Sequence, residues 1–142
     1  MNRPIYNRES LVEMLREHRI APTHQRIEIA AVLFGRQEHL SANRVLALVN
    51  ERHPETSRAT VYNTLRLFVE RGMIREVIVD PNRVFYDPNA GAHYHMYEVD
   101  SGQLTDIDAA AVTITGLPLL PDDMVTEGMD VIIRVRRARP ED

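Results

Sequence analysis

The apolar residues of this chain change period once, close to Gly72. Before it they recur every three or four residues, as on one face of a helix; after it they alternate, as on one face of a strand. Four helices are predicted on the first side. "ESLVEMLREH" (9–18) places Leu11, Val12 and Leu15 on one face, and Pro22 in "RIAPT" bars a continuous helix. A second helix starts near Thr23, carries Ile27, Ala30, Leu33 and Phe34, and ends at Gly35. A third follows Ser41 as N-cap, with Val45, Leu46, Leu48 and Val49, and stops before Pro54. The fourth runs from the N-cap Ser57 to Gly72, with Val61, Leu65 and Phe68 inward. Then "MIREVIV", the turn "DPN" and "RVFYD" read as a β-hairpin. Four short helices and a hairpin fit a winged helix-turn-helix.

"DPNAGA" (87–92) is rich in Pro, Gly and small residues and reads as a hinge. Beyond it, "HYHMYEV", a "DSG" turn and "QLTDI" form a second hairpin. A short helix is expected over 108–115, a loop at "LPLLPDD", and a long final strand at "MDVIIRVRRA". The predicted class is therefore α+β. Residues 1–87 form an N-terminal winged helix-turn-helix, 88–92 a hinge, and 93–142 a small C-terminal α/β domain. So short a second domain makes a poor core on its own, and the simplest covering for it is its own copy in a homodimer.

The chain has 142 residues and no cysteine, which removes disulfides, thiolate zinc sites and cysteine nucleophiles together. A metal must then be held by nitrogen and oxygen. No apolar run is long enough to span a membrane, and "MNRPIYNRES" lacks a hydrophobic signal region, so a cytoplasmic protein without a membrane partner is expected. The net charge of −4 is unevenly spread: residues 1–92 hold 13 Arg against 11 acids, and residues 93–142 hold 4 Arg against 10 acids. A local basic surface matters more for nucleic acid than the total. Residues 57–75 supply one, with Arg58, Arg66, Arg71 and Arg75 against Glu70 alone.

On the fourth helix, Tyr62, Asn63 and Arg66 fall away from the buried face, with Ala59 among them, and Arg58 and Thr60 lie in the first turn beside Ser57. The first turn of a recognition helix is what base edges usually meet. Asn and Arg can read adenine and guanine bidentately, and Tyr and Arg can hold phosphates. The alternative is a solvated helix face. Arg83, beside the hairpin turn, either touches DNA backbone or is a solvated turn arginine.

The stretch "HLSANRVLALVNERHPETSRATVYNTLRLFVERGMI" (39–74) closely resembles the DNA-binding domain of the ferric uptake regulator family. "HRIAPTHQR" (18–26) is similar to that family's first loop and its T-x-x-R helix start, which adds Arg19, Thr23 and Arg26 to the expected DNA-binding residues. The resemblance covers residues 9 to about 138 and is strongest before residue 97. It implies a homodimeric regulator, most often a repressor, on a palindromic double-stranded operator, with residues 1–87 as an N-terminal winged helix-turn-helix DNA-binding domain and 93–142 as a small C-terminal α/β dimerisation and metal-sensing domain.

"GAHYHMYEV" (91–99) sets two histidines on one strand face, about 7 Å apart. They are either surface residues or joint ligands. In the family a histidine in the "H-[LV]-S-A" loop completes a metal site, here His39. Acids six residues before the first strand histidine and eleven after the second match Asp87 and Asp106. The resemblance thus implies His39, Asp87, His93, His95 and Asp106 as ligands. This mixed imidazole and carboxylate set suits Fe²⁺ or Mn²⁺, with Zn²⁺ as an alternative, and five ligands favour the first two over closed tetrahedral zinc. His18, His24 and His53 read as surface or loop residues.

The chain departs from many relatives in lacking two Cys-x-x-Cys pairs, and Ala92 and Tyr94 stand where a further auxiliary site uses histidines. The cysteine-free chain and its ending resemble the iron response regulator branch, which is associated with haem and a run of three His; this chain has "AHYH". The "D…HYH…D" ligand types resemble the peroxide-sensing branch, in which Fe²⁺ reacts with peroxide and a ligand histidine is oxidised. The expectation is a regulator sensing iron, manganese or peroxide; the alternative is a haem-responsive regulator with only a structural metal. A third class is a metal-buffering protein whose winged fold serves protein contacts, against which the Tyr62, Asn63 and Arg66 face argues. No Ser/His/Asp arrangement, glycine-rich phosphate loop or zinc-protease motif points to an enzyme.

Overall fold

The structure is a computed structural model and describes residues 6–36, 38–88 and 93–142. It divides into two units, Met1–Ala90 and Gly91–Asp142. Apart from Pro88, the predicted hinge lies outside the described residues, as does Ala92.

The first unit holds helices α1 (Arg8–Glu17), α2 (His24–Phe34), α3 (Ala42–Arg52) and α4 (Arg58–Glu70), then strands β1 (Arg75–Asp80) and β2 (Arg83–Asp87). A polar side chain caps the start of every helix. Thr23, Ser41 and Ser57 accept from the backbone N–H three residues on, as their sequence positions predict. Asn7 caps α1 through a reciprocal box with Ser10, so that helix starts a turn ahead of its apolar stripe.

Two helices stop by the same device. After α4, Gly72 takes the left-handed conformation at φ 73°, Gly72 N–H bonds Val69 C=O and Met73 N–H bonds Phe68 C=O. After α1, Arg19 takes φ 60°, with Arg19 N–H on Arg16 C=O and Ile20 N–H on Leu15 C=O. Helix α1 therefore ends at a left-handed arginine three residues before Pro22, the residue expected to break it. A non-glycine residue in this region is uncommon and is held by its surroundings. Here Arg71 donates to the Arg19 carbonyl at 2.9 Å, tying the end of α4 to the loop after α1.

All four helices share one core, in which Leu15, Ile29, Leu33, Val45, Val61, Leu65 and Phe68 are fully buried. Strands β1 and β2 pair antiparallel, Val77 opposite Phe85, with a register irregularity between Ile78 and Asp80 next to the Pro81–Asn82 turn. An isolated bridge joins Leu40, just ahead of α3, to Tyr86 of β2: Tyr86 N–H reaches Leu40 C=O at 2.8 Å and the reverse bond is 3.3 Å.

The second unit is a three-stranded sheet in the order β4 (Leu104–Asp108), β3 (His93–Glu98), β5 (Ile132–Val135). β3 is central, antiparallel to β4 and parallel to β5. The predicted long final strand is only four residues, because pairing with β3 extends only from His95 to Glu98. The helix expected over 108–115 is a single 3₁₀ turn, Ala109–Ala111, capped by Asp108. Among the described residues Tyr97 and Leu104 are the buried apolar side chains of this unit, while Leu119 is 99% and Val125 89% exposed. Among the described residues no helix is long and apolar enough to cross a membrane.

Truncating Phe68 to Ala should cost the first unit about 3–5 kcal/mol, since it empties the centre of the four-helix core. Urea unfolding followed by far-UV circular dichroism should show a lowered midpoint.

Candidate metal centre and nucleic-acid interface

The Leu40–Tyr86 bridge sets the geometry of its neighbours. In an antiparallel pair, the residue before one partner lies across from the residue after the other. His39 precedes Leu40 and Asp87 follows Tyr86. His39 Nε2 accordingly lies 3.1 Å from Asp87 Oδ2, and both side chains are nearly buried. A loop residue and a strand residue 48 positions apart become one donor pair within the first unit.

In the second unit, β3 alternates in burial, and His93, His95 and Tyr97 occupy its inward face. His95 is the cross-strand partner of Asp106. Asp106 Oδ1 lies 3.5 Å from His93 Nε2 and 3.4 Å from His95 Nε2. The two rings tilt together to 4.6 Å between centroids, closer than their places on the strand require. Both imidazoles are buried and Asp106 is half-exposed. Two nitrogens and an anionic oxygen brought this close need protons or a cation between them, and buried polar groups are costly without partners. Two imidazoles with a carboxylate suit a divalent first-row metal ion, so the residues present fit one. Each of the five expected ligands thus lies in a buried or half-buried donor cluster of its own unit.

The outward face of α4 is organised by a residue that sequence reasoning missed. Asn43, in the first turn of α3, accepts from Arg58 Nη1 at 2.7 Å and from the Tyr62 hydroxyl at 2.9 Å. Arg58 also donates to the Tyr62 oxygen at 3.2 Å and sits 5.6 Å from the Tyr62 ring centroid. Its signal was weak: a polar residue on the outer side of α3, recognisable only once α3 lies beside α4. Tyr62, Asn63, Arg58 and Arg66 are exposed, whereas Ser57 and Thr60 bond each other in the cap. Arg83 is exposed at the start of β2, where Asn82 N–H bonds Asp80 Oδ1 to make the wing turn. Tyr86, on β2, has its phenol pushed above the ordinary range by burial first and by Glu76 next, with Arg66 opposing. It therefore stays a neutral donor at physiological pH.

Arg19, Thr23 and Arg26 lie apart from this network, around the start of α2. Thr23 Oγ1 is occupied as the N-cap, and Arg26 donates to the Ala21 carbonyl at 2.9 Å. The bond from Arg26 is structural work that the sequence pattern did not reveal.

Asn43→Ala should release Arg58 and Tyr62 from a common acceptor. The Tyr62 ring should then show faster motion by NMR relaxation with the fold intact, whereas an unchanged ring would mean that packing alone holds it.

The sequence profile of the ferric uptake regulator family matches residues 8–116. The peroxide-responsive repressor PerR of Staphylococcus epidermidis is 29% identical over 98 residues, covering 69% of this chain and 65% of that protein, so the match spans just under two thirds of the relative. The fold resembles the ferric uptake regulator of Pseudomonas aeruginosa solved with manganese, at a TM-score of 0.69 and 22% identity over 89% of this chain and 97% of that one. It also resembles the Helicobacter pylori ferric uptake regulator, described as having three functional metal-binding sites, at a TM-score of 0.69 and 17% identity over 100% of this chain and 98% of that one. With a profile match over most of its length, this chain belongs to the ferric uptake regulator family.

Proposed function

We propose that this protein is a metal-dependent, homodimeric DNA-binding transcriptional regulator that acts as a repressor and senses iron or manganese, and through iron also peroxide. The observation that carries the reading is the inward face of β3, where two buried imidazoles share one carboxylate oxygen. In this reading His39, Asp87, His93, His95 and Asp106 bind a single ion, two donors coming from the first unit and three from the second. Neither cluster alone supplies more than three donors. An ion that needs all five favours one arrangement of the DNA-binding unit, residues 1–87, over others, and so shifts a population.

The bound ion supplies a positive charge that the two carboxylates neutralise and, as Fe²⁺, reactivity toward peroxide. The protein's residues do the rest. His93 and His95 are held on a strand whose backbone is paired on both sides, so their nitrogens need little reorganisation. Asp87 orients His39. Peroxide as the signal is supported by the name of the Staphylococcus epidermidis relative and by the Asp87, His93, His95 and Asp106 ligand types.

On DNA, α4 is the recognition helix of each half-site, with Arg58, Thr60, Asn63 and Arg66 toward base edges and Ser57, Tyr62 and Arg83 toward phosphate. Arg19, Thr23 and Arg26 sit at the backbone, where arginine contacts add affinity without sequence reading. Dimerisation through the second unit is supported by its thin core and by the apolar side chains it exposes between Leu117 and Ile133.

Fluorescence anisotropy with a labelled palindromic operator at fixed salt tests the reading. Binding is expected with anaerobic Fe²⁺ or Mn²⁺, to vanish in chelator, and to vanish in His93→Ala. Tight binding in chelator, released by haem, would instead make this a haem-responsive regulator with a structural metal at most. Arg58→Ala with Tyr62→Ala should abolish operator binding and spare metal binding; surviving DNA affinity would remove α4 as the reader. After Fe²⁺ and peroxide, mass spectrometry should find one added oxygen atom on His39 or His93, and its absence counts against peroxide as the signal.

A further inference from the structure

We infer that the first unit carries a second divalent-metal site, formed by His24, Glu28 and His53. None of these residues belongs to the five-ligand set, and the inference stands whether or not that set binds a metal. His24 opens α2 and Glu28 lies one turn on, so their side chains share a helix face. His53 caps the end of α3. One ligand atom from each of the three lies within 4.8 Å of the others. Glu28 Oε2 is 3.1 Å from His53 Nε2, and the His24 and His53 rings meet edge-on at 5.1 Å between centroids.

Two imidazoles and one carboxylate are a recurrent protein ligand set for zinc in open sites, with water completing the coordination. The ion is therefore Zn²⁺ or another first-row divalent cation that accepts nitrogen and oxygen ligands. Glu28 and His53 are partly sheltered, with side chains 23% and 26% exposed, and His24 faces solvent, which gives the ion an entry path. Glu55 Oε1, 3.8 Å from His53 Nδ1, lies where a carboxylate can orient the ring from its other nitrogen.

Such an ion would join the start of α2 to the turn that leads into α4. That turn is already ordered by Thr56 N–H on the His53 carbonyl at 3.0 Å and delivers Ser57 to its cap. His24 lies between the cap Thr23 and Arg26, so the ion would also fix the entry of α2. A bound ion stabilises the folded state by mass action.

The competing account is a His53–Glu28 ion pair with no metal, and the two separate cleanly. The test uses the full chain carrying His93→Ala and His95→Ala, which breaks the five-ligand set, stripped with chelator and titrated with Zn²⁺ by calorimetry. One equivalent per chain is expected, with a rise in melting temperature. Adding His24→Ala leaves the His53–Glu28 contact in place and alters an exposed residue, so the fold should persist by circular dichroism; affinity should nevertheless fall about tenfold or more. His53→Gln, which can still donate to Glu28, should do the same. No zinc bound by the starting variant, or binding unchanged by both His24→Ala and His53→Gln, overturns the site.

Discussion

Two backbone hydrogen bonds between Leu40 and Tyr86 determine more of this molecule than their number suggests. They join the segment ahead of α3 to the second wing strand, and so decide where the wing lies against the helices. By the alternation of an antiparallel pair they also bring His39 against Asp87. A shift of one residue in either partner would turn these side chains to opposite faces. The bridge is protected because Leu40 is buried in the helical core, which makes the donor pair a by-product of apolar packing.

Helix α4 shows how one element divides its residues between two faces. Its inward residues, Val61, Leu65 and Phe68, are fully buried, while Arg58, Tyr62, Asn63 and Arg66 face out. The outward side chains are not loose. Asn43 of the preceding helix gives Arg58 and Tyr62 one acceptor, which limits their rotamers before any partner arrives. Preorganisation of this kind lowers the entropy lost on binding. The left-handed Arg19 and its bond from Arg71 act similarly on the loop ahead of α2.

The second unit is built on a different balance. Its central strand turns two imidazoles inward where a sheet would ordinarily place aliphatic residues, and its apolar side chains between Leu117 and Ile133 remain largely in solvent. Buried imidazoles contribute little transfer free energy, and exposed apolar groups contribute none. Such a unit gains from whatever binds its histidines or covers its apolar surface.

Much of the architecture was legible in residue order. The change of apolar period near Gly72, the caps Thr23, Ser41 and Ser57, and the turns at Pro81 and Gly102 specified four helices and two hairpins, because these signals act within a few residues. The same local physics separated the two faces of α4. What lay beyond it depended on residues distant in sequence. The final strand is short because pairing with β3 ends it, and Asn43 matters only because α3 packs beside α4. His24 and His53 read as surface residues in sequence, since 28 intervening residues hide that α2 and α3 bring them together. Spacing along the chain determined which side chains could share a face; tertiary packing decided which faces met, because contacts between distant residues are set by the core they enclose.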